Sequence, residues 1–274
     1  MIRLAGIGDE AGPSLAEQVA AVTGLGWSAI ELRTVDGVAV ADLTDAAFDA
    51  VAATLAEHGL DVVCVDSRIG DWSSEITDDF SHDLDELRVL AARCRALGTR
   101  YVRVMSYPNA GLPPAEWERR VRRRLRELAR RAEQSDLVLL HENCAGWAAA
   151  DADRMLALVD DGLGLLFDTG NGIAHGYSGV DLLAAIAPHV RHVHVKDGRS
   201  GPQWTVPGRG SADVPGALSL LAAHGYTGAL SLEPHLSMRP HERDGRPGEV
   251  EGFHAAGRAL EALLAVPVPA RSEA

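Results

Sequence analysis

Cysteine is scarce. Cys64, Cys94 and Cys144 are the only three in 274 residues. They are odd in number, widely separated and without CxxC spacing, which excludes a disulfide framework and points to reduced thiols. Long hydrophobic runs are missing too: nothing approaches the roughly 18 apolar residues of a membrane span. The opening MIRLAGIGDEAG meets Asp9 and Glu10 before a signal-peptide core can form. A cytoplasmic protein with no membrane partner is therefore expected. Positive charge is in deficit, with a formal net charge of −13, which repels phosphate backbones and speaks against nucleic acid as a partner. Lys196 is the single lysine among 26 basic residues, leaving 25 arginines. With abundant alanine and glycine, this bias reads as genome composition rather than chemistry. Even the run EWERRVRRRLRELARR (Glu116–Arg131) needs no ligand. Trp117, Val121, Leu125 and Leu128 form one apolar stripe at helical spacing, leaving the arginines on a solvated face.

What the chain does contain is a repeated alternation of short β-branched runs and longer helical patterns, the pattern of parallel strands joined by helical crossovers. Strands are expected near Ile2–Ala5, Ala29–Leu32, Val62–Val65, Tyr101–Val104, Leu137–His141, Leu165–Phe167, Val190–Val195 and Ala229–Leu232. Helices are expected at Leu15–Leu25, Asp45–His58, Phe80–Leu97, Ala115–Gln134, Ala152–Val159, Asp181–Ala187, Val214–His224 and Gly252–Leu264. Thr44 is placed to cap the second helix, Gly59 to stop it, and Pro113-Pro114 to open the fourth. Eight such units in this length predict an α/β fold, a single (β/α)8 TIM barrel over residues 1–265. Residues 266–274 (VPVPARSEA) read as a disordered tail. The long connections Asp66–Asp79 and Ser200–Asp213 suggest lids.

Catalytic groups of this fold sit where strands end. Strand five (LVLLHEN) closes on Glu142, strand six (LLFDTGN) on Asp168, strand seven (VRHVHVKD) near His194, and strand eight (ALSLEPH) on Glu233. The spacings are 26, 26 and 39 residues. Three carboxylates packed together repel one another unless a cation joins them. A divalent ion removes that cost, and His194 completes an oxygen and nitrogen shell. Such ligation favours harder ions over a thiolate-type zinc: manganese first, with magnesium, cobalt or zinc as alternatives.

These blocks resemble the sugar phosphate isomerase/epimerase superfamily of xylose isomerase-like TIM barrels. HEN, FDTGN, HVHVKD and SLEPH carry the likeness over strands five to eight, and GIGDEAGPSLAEQ with IELRTVDG over the first two units. The resemblance implies one metal held by Glu142, Asp168, His194 and Glu233, with the two glutamates doubling as the acid/base pair. It implies an isomerase or 3-epimerase of a ketose, sugar phosphate or cyclitol working through an enediolate. The alternative is a lyase on the same ligands, similar to inosose or dehydroshikimate dehydratases or C-glycoside deglycosidases. An endonuclease IV type of repair enzyme ranks below both, because it needs a three-metal site with more histidines. Two departures from the family pattern stand out. Asn171 occupies the histidine position of DxxH, a role His175 would have to take over, and Gly208-Arg209-Gly210 replaces Gly-Glu-Gly, suggesting an acidic substrate end.

Other residues have a functional and a structural reading. Lys196 lies two residues beyond His194, on the same face of an extended strand, and either contacts substrate or pairs with Asp197. His235 binds substrate or moves protons, or is an ordinary loop histidine. Arg199 and Arg209 could clamp an anion, while Trp72 and Trp204 could stack on a sugar ring or anchor lids. His141 should face away from Glu142, and Cys144 reads as a small buried hydrophobe. The expected partner is a small carbohydrate or cyclitol, with self-association into a homo-oligomer left open.

Overall fold

The computed structural model describes residues 2–200, 203–236 and 250–265; the expected tail at 266–274 lies outside them. Eight strands, β1 (Arg3–Gly6), β2 (Ala29–Leu32), β3 (Asp61–Asp66), β4 (Tyr101–Ser106), β5 (Val138–Gly146), β6 (Gly164–Asp168), β7 (Val190–Val195) and β8 (Ala229–Leu232), form one sheet. Its order is β1-β8-β7-β6-β5-β4-β3-β2, and every pairing is parallel. A single parallel bridge between Ile7 and Glu31 brings the two ends together, so the (β/α)8 TIM barrel is nearly closed.

The helices form where the sequence carries caps and apolar stripes. They are α1 (Leu15–Gly24), α2 (Asp45–Glu57), α3 (Phe80–Leu97), α4 (Pro114–Glu133), α5 (Ala152–Asp160), α6 (Asn171–His175), α7 (Gly179–Ile186), α8 (Val214–Ala223) and α9 (Val250–Ala265). Ser14 and Glu17 form a capping box on α1. The Thr44 side chain accepts from the Ala47 N–H at the start of α2, as expected, and Gly59 takes φ +63° just beyond it. On α4, Val121, Leu125 and Leu128 are fully buried, and Arg122 and Arg126 reach out to Asp161. Arg124 departs from the solvated face. It is buried between the rings of Phe80 and Tyr107, a stacking that a planar guanidinium permits. Among the described residues no helix is long and apolar enough to cross a membrane.

Three local features differ from the pattern read in the sequence. First, β5 continues past Glu142 to Gly146, where Gly146 pairs with Ser106 across a register shift. Gly146 has φ +94°, and a Cβ there would lie 2.3 Å from the Ser106 carbonyl carbon, so only glycine allows this approach. Glu142 is consequently inside its strand and not at its end. Second, the short helix α6 follows β6 directly and carries Asn171 at its first position. Third, part of the connection after β7 is a ribbon, with Asp197–Arg199 antiparallel to Gln203–Thr205.

Candidate active site

Glu142 (β5), Asp168 (end of β6), His194 (β7) and Glu233 (just after β8) converge at the carboxyl end of the barrel. All four are buried, and each offers a ligand atom within 4.8 Å of the others. His194 decides how the group works. Its Nε2 contacts Glu31 Oε1 at 3.0 Å, which leaves Nδ1 facing Glu233 Oε2 at 3.5 Å and Glu142 Oε1 at 3.8 Å. Among the described residues that buried nitrogen has no hydrogen-bond partner. A buried polar atom without a partner costs free energy on the order of 1–3 kcal/mol, and a divalent ion among these carboxylates would satisfy it. The donor set therefore fits a metal, and Glu31 is the outer carboxylate that orients the His194 ring. The second oxygen of Glu31 takes His192 Nε2 at 2.7 Å, so one carboxylate holds two imidazoles.

Among the described residues, three cations surround the carboxylates. Lys196 Nζ lies 2.8 Å from Glu233 Oε2 and 3.0 Å from Asp168 Oδ2. Arg33 reaches Glu233 Oε1 at 2.9 Å, Glu10 Oε1 at 2.6 Å and Asp9 Oδ1 at 2.8 Å. Arg103 stands between Asp66 Oδ1 (3.1 Å) and Glu142 Oε2 (3.6 Å) at ion-pair distance. Burial works to raise the Glu142 carboxyl, but His194 and Arg103 outweigh it and hold it at about 2. Glu233 is likewise held well below the carboxylate range against burial, by Lys196, His235 and His194. Asp168 goes the other way. Burial, reinforced by Glu233 and Glu142, pushes it up to about 6 despite Lys196. That is the like-charge strain a dication would relieve.

The other expected residues divide. Asn171 belongs to the cluster: its Nδ2 donates to Glu142 Oε1 at 3.0 Å and its backbone N–H to Asp168 Oδ1 at 2.6 Å. It orients two carboxylates of the cluster, and His175, exposed at the end of α6, does not take over that place. Lys196 pairs with the carboxylates of Asp168 and Glu233 and not with adjacent Asp197. The Asp197 carboxylate instead accepts the backbone N–H groups of Gly198, Gly208, Gly210 and Ala212 at 2.8–3.1 Å. This explains Gly208-Arg209-Gly210, because a Cβ on Gly210 would lie 2.1 Å from Asp197 Oδ1. The two glycines serve the loop anchor. Arg209 and Arg199 are exposed, and Arg199 Nη2 donates to the Arg209 carbonyl at 3.2 Å, apart from the carboxylate cluster. Trp72, 40% exposed, shares a pocket with Arg33, Arg103, Lys196, Glu142 and Glu233. His235 and Trp204 border Lys196. His141 is buried with both ring nitrogens unbonded.

Glu31, Arg33, Asp66, Arg103 and His192 were not among the expected site residues. Their signal is charged or imidazole side chains at alternate positions of otherwise apolar strands, such as Glu31 and Arg33, or His192 and His194. A second ligand-like group, Glu10, Glu233 and His235, also gathers here. The Arg33 guanidinium already supplies positive charge to Glu10 and Glu233.

Residues 19–251 match the model of the xylose isomerase-like TIM barrel family. The chain belongs to that family. It is 32% identical over 139 residues to the rhizopine catabolism protein MocC of Rhizobium meliloti, covering 43% of this chain and 42% of that one. It is 30% identical over 102 residues to the inosose dehydratase of Clostridium botulinum (strain Eklund 17B / Type B), covering 30% of this chain and 34% of the dehydratase. The matches thus span less than half of these relatives. A crystal structure of the IOLI protein with a zinc atom superposes with TM-score 0.77 at 18% identity, covering 96% of this chain and 98% of that one. At that identity the likeness concerns the fold.

Proposed function

We propose that this xylose isomerase-like barrel is a metal-dependent enzyme that breaks the C–H bond beside the carbonyl of a polyhydroxylated ketone. The observation that carries the reading is His194 Nδ1, buried, without a hydrogen bond, and aimed among the carboxylates of Glu142, Asp168 and Glu233. Bound there, a divalent ion would polarise the substrate carbonyl and stabilise the charge that develops on its oxygen; manganese suits the oxygen-rich set, and zinc, cobalt and magnesium are the ions to compare with it. The remaining tasks fall to the chain. Glu142 and Glu233 come from different strands, so one can take the proton and the other can return one to the opposite face. Glu233 is engaged on both oxygens, by Arg33 and Lys196. Glu142 has Oε1 bonded to Asn171 and Oε2 3.6 Å from Arg103, which makes Oε2 the better placed base. Lys196, Arg33 and Trp72 line a small pocket beside Glu142 and Glu233.

Two outcomes share that first step. Return of the proton gives an isomerase or 3-epimerase of a ketose, sugar phosphate or cyclitol, which a pair of glutamates from separate strands supports. Loss of a neighbouring group gives a lyase, which the dehydratase relative supports. The test is incubation of the manganese-loaded protein with an inosose and with a ketopentose in D₂O. Deuterium beside the carbonyl is expected, with products of equal mass for isomerisation or lacking water for elimination. At saturating metal, E142Q and E233Q should each lower kcat by about 10²–10⁴-fold. No exchange with either probe, or full activity in both metal-bound variants, would refute the reading.

A further inference from the structure

The connection after β7 is fastened at several points around Lys196. The Thr169 hydroxyl accepts from the Lys196 backbone N–H at 2.9 Å and donates to the Lys196 carbonyl at 2.6 Å. Gly170 leaves room for the lysine stem, since a Cβ there would lie 2.7 Å from Lys196 Cγ. Asp197 then gathers the amides of Gly198, Gly208, Gly210 and Ala212, and the ribbon that it anchors sets Trp204 opposite Gly198. A Cβ on Gly198 would lie 2.8 Å from Trp204 Cε3, so a glycine at that position is what lets the indole lie across the ribbon. From there the half-buried indole meets two neighbours. Lys196 Nζ stands over the ring, 5.4 Å from its centroid, and His235 packs edge-to-face with ring centroids 5.4 Å apart.

We infer that Trp204 is a positioning residue of this site: its ring holds the Lys196 ammonium against Glu233 and Asp168, and through Lys196 it fixes the Glu233 carboxylate. The inference rests on the C–H-breaking function proposed above. Glu233 is oriented by two cations, Arg33 on Oε1 at 2.9 Å and Lys196 on Oε2 at 2.8 Å. They hold it differently. The Arg33 guanidinium is a rigid planar fork that also takes Asp9 and Glu10. An ammonium is a compact charge on a flexible four-carbon stem, free to turn unless its surroundings fix it. A tryptophan face attracts an ammonium within about 6 Å of its centroid, and more strongly where water is excluded. Lys196 meets both conditions, being over the Trp204 ring and only 2% exposed. A carboxylate in the place of Trp204 would compete with Glu233 for the same ammonium hydrogens, whereas an aromatic face leaves them directed at Glu233 and Asp168.

The experiment compares the manganese-loaded full chain with W204L, G198A and W204F. W204L removes the aromatic face but keeps an apolar side chain, G198A retains Trp204 and crowds its ring off the ribbon, and W204F restores an aromatic face. Lys196 is the single lysine, so acetylation by the N-hydroxysuccinimide ester of acetic acid, mapped by peptide mass spectrometry, reads the access to this one side chain. It should be several-fold faster in W204L and G198A than in the wild type, and close to the wild-type rate in W204F. The second reading is deuterium exchange beside the carbonyl of an inosose and of a ketopentose. Its kcat should fall by about 5–30-fold in W204L and G198A, the loss of one desolvated cation–ring contact, with KM changed less. W204F should recover most of that loss, which a merely structural role would not produce. An unchanged rate of Lys196 acetylation in W204L and G198A overturns the holding role. Faster acetylation with undiminished exchange overturns the link to Glu233, as does a fall in exchange that W204F does not restore. Should W204L lose the wild-type melting profile, G198A carries the same comparison. A wild-type protein that exchanges neither probe overturns the proposed function and with it the link to the chemistry, while acetylation still decides whether Trp204 holds Lys196.

Discussion

Replacing Glu31 with glutamine tests the contacts that present His194. Glu31 is fully buried and faces two imidazoles, His192 Nε2 at 2.7 Å and His194 Nε2 at 3.0 Å. A carboxylate accepts from both. An amide offers one oxygen, and its NH₂ meets the other ring, which must then turn or move its hydrogen to Nδ1. On His194 that hydrogen would block the nitrogen aimed at the carboxylates. Losing such an outer carboxylate typically weakens metal affinity about 10–100-fold, or roughly 1.4–2.7 kcal/mol. At a metal concentration about 100 times the wild-type Kd, binding adds about 2.7 kcal/mol of stability to the wild type. The same concentration adds only about 0.4–1.4 kcal/mol to E31Q by the same relation. At about 2–4 °C per kcal/mol for a chain of this size, manganese should raise the wild-type Tm clearly and the variant's by about half as much or less. Calorimetric titration of the metal and melting curves with and without it provide the readings. A folded E31Q that binds manganese as tightly as the wild type would refute either the orienting role of Glu31 or the ligand role of His194.

Two further outcomes follow from contacts outside the ligand group. G210A places a Cβ 2.1 Å from Asp197 Oδ1, so the loop after β7 should come off its anchor, lowering stability by about 1–3 kcal/mol; an unchanged melting curve would show that the loop yields freely. Asp161 is held below its usual range: burial acts to raise it, but Arg122 and Arg126 bond it and prevail. A carboxyl depressed in the folded state contributes stability above its unfolded value, and that contribution is lost as pH falls below about 4 and through the folded value. Urea unfolding of D161N should therefore show less loss of stability than the wild type below about pH 4, and parallel pH profiles would remove Asp161 from the account.

Much of the architecture follows from local chemistry. The alternation of apolar strands with capped, striped helices is a short-range pattern, and it specifies eight units and a barrel. The same reading singles out Glu142, Asp168, His194 and Glu233, which the fold brings together, although Glu142 lies inside β5 and not where that strand ends. The order of the units along the chain also brings the last four strands side by side. What surrounds those four residues depended on closure. Glu31 holds His194 from 163 residues away, and Arg33 joins Asp9, Glu10 and Glu233 only because β2 and β8 flank β1 around the barrel. Lys196 pairs with Asp168 and Glu233 and ignores its neighbour Asp197, because Asp197 is already satisfied by the amides of its own loop. No periodicity records such choices. They are made when buried charges, each costly alone, find the partners that the closed barrel brings within reach.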